Sequence, residues 1–185
     1  MSDAHDLDEL RTRLQYVEDR FAILDLVMNQ SRGHDRHDAE LMRSVYFDDG
    51  VDEHGPTVKT GPEYGDWANA AHTAVFEDHL HNVTTHTCEI DGDTAHAESY
   101  VIGAMRAKGG KIVSLMGGRY IDRLERRDGV WKIALRRCTI EWMMNGDTSL
   151  LNSGAVAGFI KGTWDKSDVS YQRPLSMDGA PVNRW

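Results

Sequence analysis

Glu125-Arg-Arg-Asp-Gly-Val-Trp-Lys132 joins two alternating runs of residues through an Asp-Gly pair. Asp-Gly suits the positive backbone angles of a two-residue hairpin turn, so the runs on either side read as antiparallel neighbours. Asp91-Gly92 and Gly109-Gly110 punctuate the preceding chain in the same way. Four strands follow: His79 to Ile90, Thr94 to Ala107, Lys111 to Arg126 and Val130 to Met143. Upstream the period is helical. Leu7, Leu10, Leu14, Val17, Phe21, Leu24 and Met28 recur at steps of three and four, one stripe on a first helix that Gly33 is expected to end. Asp38 suits the cap of a short second helix carrying Leu41, Met42, Val45 and Tyr46, with a brief strand around Val51. Thr60-Gly-Pro-Glu63 is a capping box, predicting a third helix from about Gly61 to Asp78 with Trp67, Ala71, Ala74 and Val75 on its inner side. Three helices before a four-strand meander give an α+β class, with helices on one face of a strongly curved sheet that forms a cone with an apolar interior.

The chain has 185 residues, enough for one domain with a real core over residues 1–145. Residues 146–185 read as an extension, with a short helix over Leu150 to Ile160 and an arm bearing Trp164, Tyr171, Pro174 and Trp185. Such an arm is expected to pack on its own cone mouth or on a neighbouring subunit. A formal charge of −9 argues against nucleic acid and anionic membranes as partners. Cys88 and Cys138 sit in strand patterns, where a buried thiol is the commonest outcome. With no basic-then-apolar leader and no long apolar run, the expectation is a cytoplasmic protein.

Chemistry gathers around Asp35, in Ser31-Arg-Gly-His-Asp-Arg-His-Asp38, and around His81 in the first strand. A carboxylate holding an imidazole is the minimum equipment for moving a proton. Each residue has a plainer role open to it: Asp35 as a turn residue, His81 as a strand histidine bonded to a carbonyl. Arg136 shares the parity of Ala134 and Cys138, so it either points inward to stabilise a developing anion or lies outward beside Arg137. Tyr120 is either a phenol donor to substrate or a packing residue. Trp67, Met105, Met116 and Trp142 are candidate pocket linings, although at such spacing they equally suit plain core. Nine histidines invite a metal reading, but His34-Asp-Arg-His37 lacks the helical i,i+4 spacing of a zinc motif and no metal is expected. His34, His37, His54, His72 and His96 read as surface or rim residues. Without a phosphate loop, dinucleotide fingerprint or nucleophile elbow, no cofactor is expected.

The order of elements, the words Glu125 to Lys132 and Gly33-His-Asp35 together resemble the SnoaL-like branch of the nuclear transport factor 2-like superfamily. The resemblance covers residues 7 to 143. It implies relatives such as hexachlorocyclohexane dehydrochlorinase and scytalone dehydratase, in which a histidine base held by an aspartate abstracts a proton and a neighbouring group leaves. Carried over, the aspartate falls on Asp35, the base on His81 and an anion-assisting arginine on Arg136. The position that is lysine or tyrosine in relatives is Gln30, a substrate-contact candidate whose amide donates a hydrogen bond but is no general acid. The resemblance implies a cofactor-free lyase acting on a small hydrophobic, aromatic or alicyclic substrate, expelling water, halide or a carbonyl fragment such as formaldehyde. An isomerase or cyclase using the same pair, and a non-catalytic ligand-binding or assembly module, are the alternatives. It also implies a homo-oligomer, a trimer before a dimer.

Overall fold

A computed structural model describes residues 2–179 and 181–185. The order is α1 (Ser2–Asp35), α2 (Ala39–Ser44), β1 (Tyr46–His54), β2 (Thr57–Thr60), α3 (Gly61–Val75), β3 (Phe76–Asp91), β4 (Thr94–Ala107), β5 (Ile112–Arg127) and β6 (Val130–Asp147). One six-stranded sheet has the order β2-β1-β6-β5-β4-β3, antiparallel except where β1 runs parallel to β6. The four meander strands stand where the Asp-Gly and Gly-Gly turns put them. The strand expected near Val51 is one arm of a β1–β2 hairpin.

Curvature comes from irregular register. β3 slips against β4 between Val83 and Thr85, and β5 slips against β6 between Gly117 and Gly118 and again between Arg123 and Leu124. Such bulges bend and twist the bulged strand. At the bend a Cβ on Gly118 would stand 1.9 Å from the Thr139 carbonyl oxygen, so only glycine allows the approach.

The helices differ from expectation in which face they bury. The stripe from Leu7 to Met28 faces outward, with Phe21 63% exposed. The covered face is Asp19, Ile23, Val27, Gln30 and His34, the same period displaced around the helix. Among its polar members, Asp19 Oδ1 accepts from Trp131 Nε1 at 2.8 Å and its carboxylate pairs with Arg126. Gly33 does not end α1. Asp38 N–H bonds Gly33 O and His37 N–H bonds His34 O, a Schellman-type cap whose left-handed residue is His37, at φ 49°. Gly33 serves packing instead, since a Cβ there would meet Met42 Cγ at 2.6 Å.

In α3, Glu63 accepts from the Thr60 N–H, the return bond of a capping box, and also from the Thr60 hydroxyl. The helix stops at Val75, and its inner face is Tyr64, Gly65 and Ala68, not Ala74 and Val75, which are exposed. Gly65 lets the helix lie on the Ala39 backbone, where a Cβ would come within 2.8 Å of the carbonyl oxygen. Ile23, Met42, Tyr46, Tyr64, Leu124 and Ile133 close the core between helices and sheet. Both cysteines are free. Among the described residues no helix is long and apolar enough to cross a membrane.

Beyond β6 the expected helix over Leu150 to Ile160 is replaced by two short 3-10 turns, Ser149–Asn152 and Gly154–Val156. The arm then folds back on its own chain at the end of α1. Trp164 stacks on His37 with ring centroids 3.8 Å apart, Lys166 and Tyr171 both reach Asp38, and Asp168 meets Arg36. Trp185 lies against the Arg106 guanidinium.

Candidate active site

Asp35 reaches the sheet from the last residue of α1 and meets two histidines of β3. Its Oδ1 lies 2.7 Å from His81 Nδ1 and 3.2 Å from His79 Nδ1, and its Oδ2 accepts the His81 backbone N–H at 2.9 Å. His79 and His81 share one face because β3 is regular between its two slips, at Phe76/Asp78 and Val83/Thr85. Burial works to raise the Asp35 pKa, but the donors from His79 and His81 outweigh it and hold the carboxyl below its ordinary range. An ionised carboxylate only accepts, so it fixes the proton of each imidazole on Nδ1 and leaves each Nε2 as a lone pair.

His81 opens onto a cavity of about 160 Å³ whose wall includes His54, His72, Val101, Met105, Met116 and Tyr120. Two imidazoles not assigned to the site from sequence therefore belong to its wall. Tyr120 is sealed from bulk water, and burial pushes its phenol pKa up, so it stays a neutral donor.

The remaining expected residues stand elsewhere. Arg136 points inward, yet it is fully buried behind Tyr120, 4.2 Å from that ring's centroid, and is gripped by Asp122 through bonds of 2.7 and 2.6 Å. Its charge is answered within the core and it does not line the cavity. Gln30 is likewise buried behind the wall, with its Nε2 2.9 Å from His34 Nε2. Trp67 packs beside Tyr64 and His54, outside the lining. Trp142 is 46% exposed and lies across Gly117, where a Cβ would come within 2.3 Å of the indole.

The expectation that five histidines lie at the surface or rim fails for most of them. Of these, His96 is exposed; His34 is buried, and His37, His54 and His72 are partly buried and converge on the dyad. His34 sits 5.0 Å from the His81 ring and 5.2 Å from His72, while His72 meets His79 edge-on at 4.5 Å. Burial, then mutual repulsion among the imidazoles, pushes His34 far down, His72 to about 2 and His37 to about 4. All three are neutral at neutral pH. His54 goes the other way. Burial opposes its charge, but the Asp52 carboxylate, 3.5 Å from its Nδ1, and then the Cys138 sulfur hold it up at about 10. Asp52 is itself fixed by the Tyr46 hydroxyl at 2.6 Å, and Tyr64 OH links His54 to His34 at 3.0 and 3.1 Å. A signal for His72 was present in sequence: Tyr64, Ala68 and His72 recur every four residues, beside the glycine that brings the helix close.

The described residues also offer two sets of side chains placed to share a cation: His37, His72 and His79, and Asp35, His79 and His81.

Comparison with solved structures finds the same architecture widely. Hexachlorocyclohexane dehydrochlorinase LinA-type3 from Novosphingobium barchaimii LL02 superposes with a TM-score of 0.68 at 26% identity, over 72% of this chain and 94% of that one. A LinA type 2 dehydrochlorinase matches at a TM-score of 0.68 and 26% identity, over 72% of this chain and 93% of its own. A Novosphingobium aromaticivorans protein provisionally called a scytalone dehydratase, 20% identical, shares the fold at a TM-score of 0.63 over 72% of this chain and 90% of that one. No curated protein matches the sequence. The model of the SnoaL-like domain matches residues 15–137, from the middle of α1 to the middle of β6, and the chain belongs to that family, with its nuclear transport factor 2-like fold.

Proposed function

We propose that the protein is a cofactor-independent lyase. His81 Nε2 takes a proton from carbon, Asp35 holds the ring in the required tautomer, and a group on the neighbouring carbon departs as the double bond forms. The observation that carries this reading is the 2.7 Å contact between His81 and Asp35 at the wall of an apolar cavity. Val101, Met105 and Met116 in that wall suit a small aromatic or alicyclic substrate. The dehydrochlorinase name of relatives at 26% identity supports elimination as the reaction class. Water and halide are the leaving groups for a proton taken from carbon; loss of a carbonyl fragment such as formaldehyde starts instead with the base taking the proton of that fragment's hydroxyl. Gln30 and Arg136 stand behind the wall, so assistance to the leaving group falls to His54, cationic at neutral pH, and to the Tyr120 phenol.

The test is turnover of a panel of halogenated cyclohexanes and hydroxylated aryl compounds, read as halide release and product mass, in the wild type and in Asp35→Asn. With Asn the tautomer is no longer imposed, and turnover should fall by about 10²–10⁴-fold with little change in KM. Equal turnover in the variant would remove the dyad from the mechanism. A product of unchanged mass would make the protein an isomerase.

The same reading includes a homo-oligomer, a trimer in preference to a dimer. Tyr100 and Ile121 on the open sheet and the outward stripe of α1 are exposed apolar surface of the kind a second copy covers. Sedimentation giving a monomer would refute it.

A further inference from the structure

We propose that His37, His72 and His79 form a binding site for one divalent transition-metal ion of the Zn2+ type, beside the dyad and independent of the proposed reaction. The three residues come from the turn after α1, from α3 and from β3, and each presents one ring nitrogen, all within 4.8 Å of one another. His37 Nε2 and His79 Nε2 stand 3.3 Å apart. Two nitrogens bound tetrahedrally at ~2.0–2.1 Å from zinc are separated by about 3.4 Å, so this pair already has the spacing of ligands. The His72 ring offers the third nitrogen, within 4.8 Å of the other two. Its Nδ1 is buried without a hydrogen-bond partner.

The surroundings are those of a metal site. Ligating histidines generally give their other ring N–H to a carboxylate or hydroxyl, which fixes the tautomer and raises the basicity of the ligand nitrogen. His79 Nδ1 faces Asp35 Oδ1 at 3.2 Å, and His37 Nδ1 faces Thr73 Oγ1 at 3.5 Å. Trp164 stacks on His37 and leans over His79 at 4.9 Å, closing the outer side with an apolar shell. Three neutral imidazoles with a position left for water select zinc, nickel or cobalt over calcium or magnesium, which take oxygen ligands.

His37 carries a further mark. It occupies the left-handed position of the α1 cap, where glycine is the default residue, and its backbone is held there by Asn69 Nδ2 donating to its carbonyl at 2.9 Å. A β-carbon is disfavoured at such a position. The imidazole it delivers to His79 is what the strain obtains. The alternative trio, Asp35, His79 and His81, shares one ligand, but its carboxylate and His81 already satisfy each other at 2.7 Å.

Zn2+ titration of the chelator-treated full chain by calorimetry, with Co2+ absorption as an independent readout, tests the assignment. One equivalent should bind at micromolar affinity or better, and Co2+ should give the visible bands of a four- or five-coordinate nitrogen site. His37→Gly keeps the cap and removes the ligand, so it should melt no lower than wild type yet lose affinity by more than the ~100-fold upper end of an outer-shell loss. His72→Ala should do the same to affinity, Asp35→Asn should weaken it about 10–100-fold, and His81→Ala should leave it intact. Absence of stoichiometric binding by wild type, or binding that survives both His37→Gly and His72→Ala, overturns the proposal. Loss confined to His81→Ala also overturns it, since the ion would then sit on the dyad.

Discussion

Replacing Arg136 by methionine separates a structural arginine from a catalytic one. Arg136 and Asp122 are both essentially without solvent exposure and joined by two charge-assisted bonds of 2.7 and 2.6 Å, with the guanidinium beneath the Tyr120 ring. Burial opposes the Arg136 charge, but Asp122 holds it firmly protonated. Removing one member of such a pair leaves the other charge buried and unanswered, which destabilises by about 3–5 kcal/mol. In a protein of this size each kcal/mol moves Tm by roughly 2–4 °C, so Arg136→Met should melt roughly 6–20 °C lower. Arg136→Met with Asp122→Leu removes both charges and fills the volume with apolar atoms, and should recover most of the loss. Urea unfolding of the wild type, both single variants and the double variant measures the coupling. A single variant within about 1 kcal/mol of wild type, or a double variant no more stable than the single, refutes the assignment of Arg136 to the core. If the double variant folds and still turns over substrate, the arginine charge has no part in elimination.

Other outcomes follow from the same contacts. His54 has a raised pKa, so its contribution is fully present below the unfolded value of ~6.5 and lost as pH rises through about 10. The urea midpoint should therefore fall between these values, and His54→Gln should flatten that fall; an unchanged slope would mean that Asp52 does not hold the charge. Gly33→Ala drives a methyl to 2.6 Å from Met42 Cγ and should cost about 1–3 kcal/mol by urea unfolding, against the small gain alanine brings to an open helix site. A neutral or stabilising result there would show that α2 shifts freely.

Turn chemistry and period were legible without coordinates because they are local. Asp91-Gly92, Gly109-Gly110 and Asp128-Gly129 all have a glycine at positive φ, and the four strands between them pair in the order the turns impose. The capping box at Thr60 to Glu63 is local in the same sense. Asp35 and His81 were named from sequence through family resemblance, and the fold brings them to 2.7 Å from 46 positions apart. The direction of each helix was not legible. An apolar stripe states that a face is to be covered, not by what, and on α1 the stripe from Leu7 to Met28 stands outward while Gln30 and His34 turn in. Polar residues at those positions find partners inside the fold: Gln30 bonds His34, and His34 meets the Tyr64 hydroxyl across the core. Hydropathy cannot show such partners. The gathering of His34, His37, His54, His72, His79 and His81 is tertiary for the same reason. Their separations along the chain carry no common period, and only the crossing of α1, α3, β1 and β3 brings their rings within about 4–7 Å of one another.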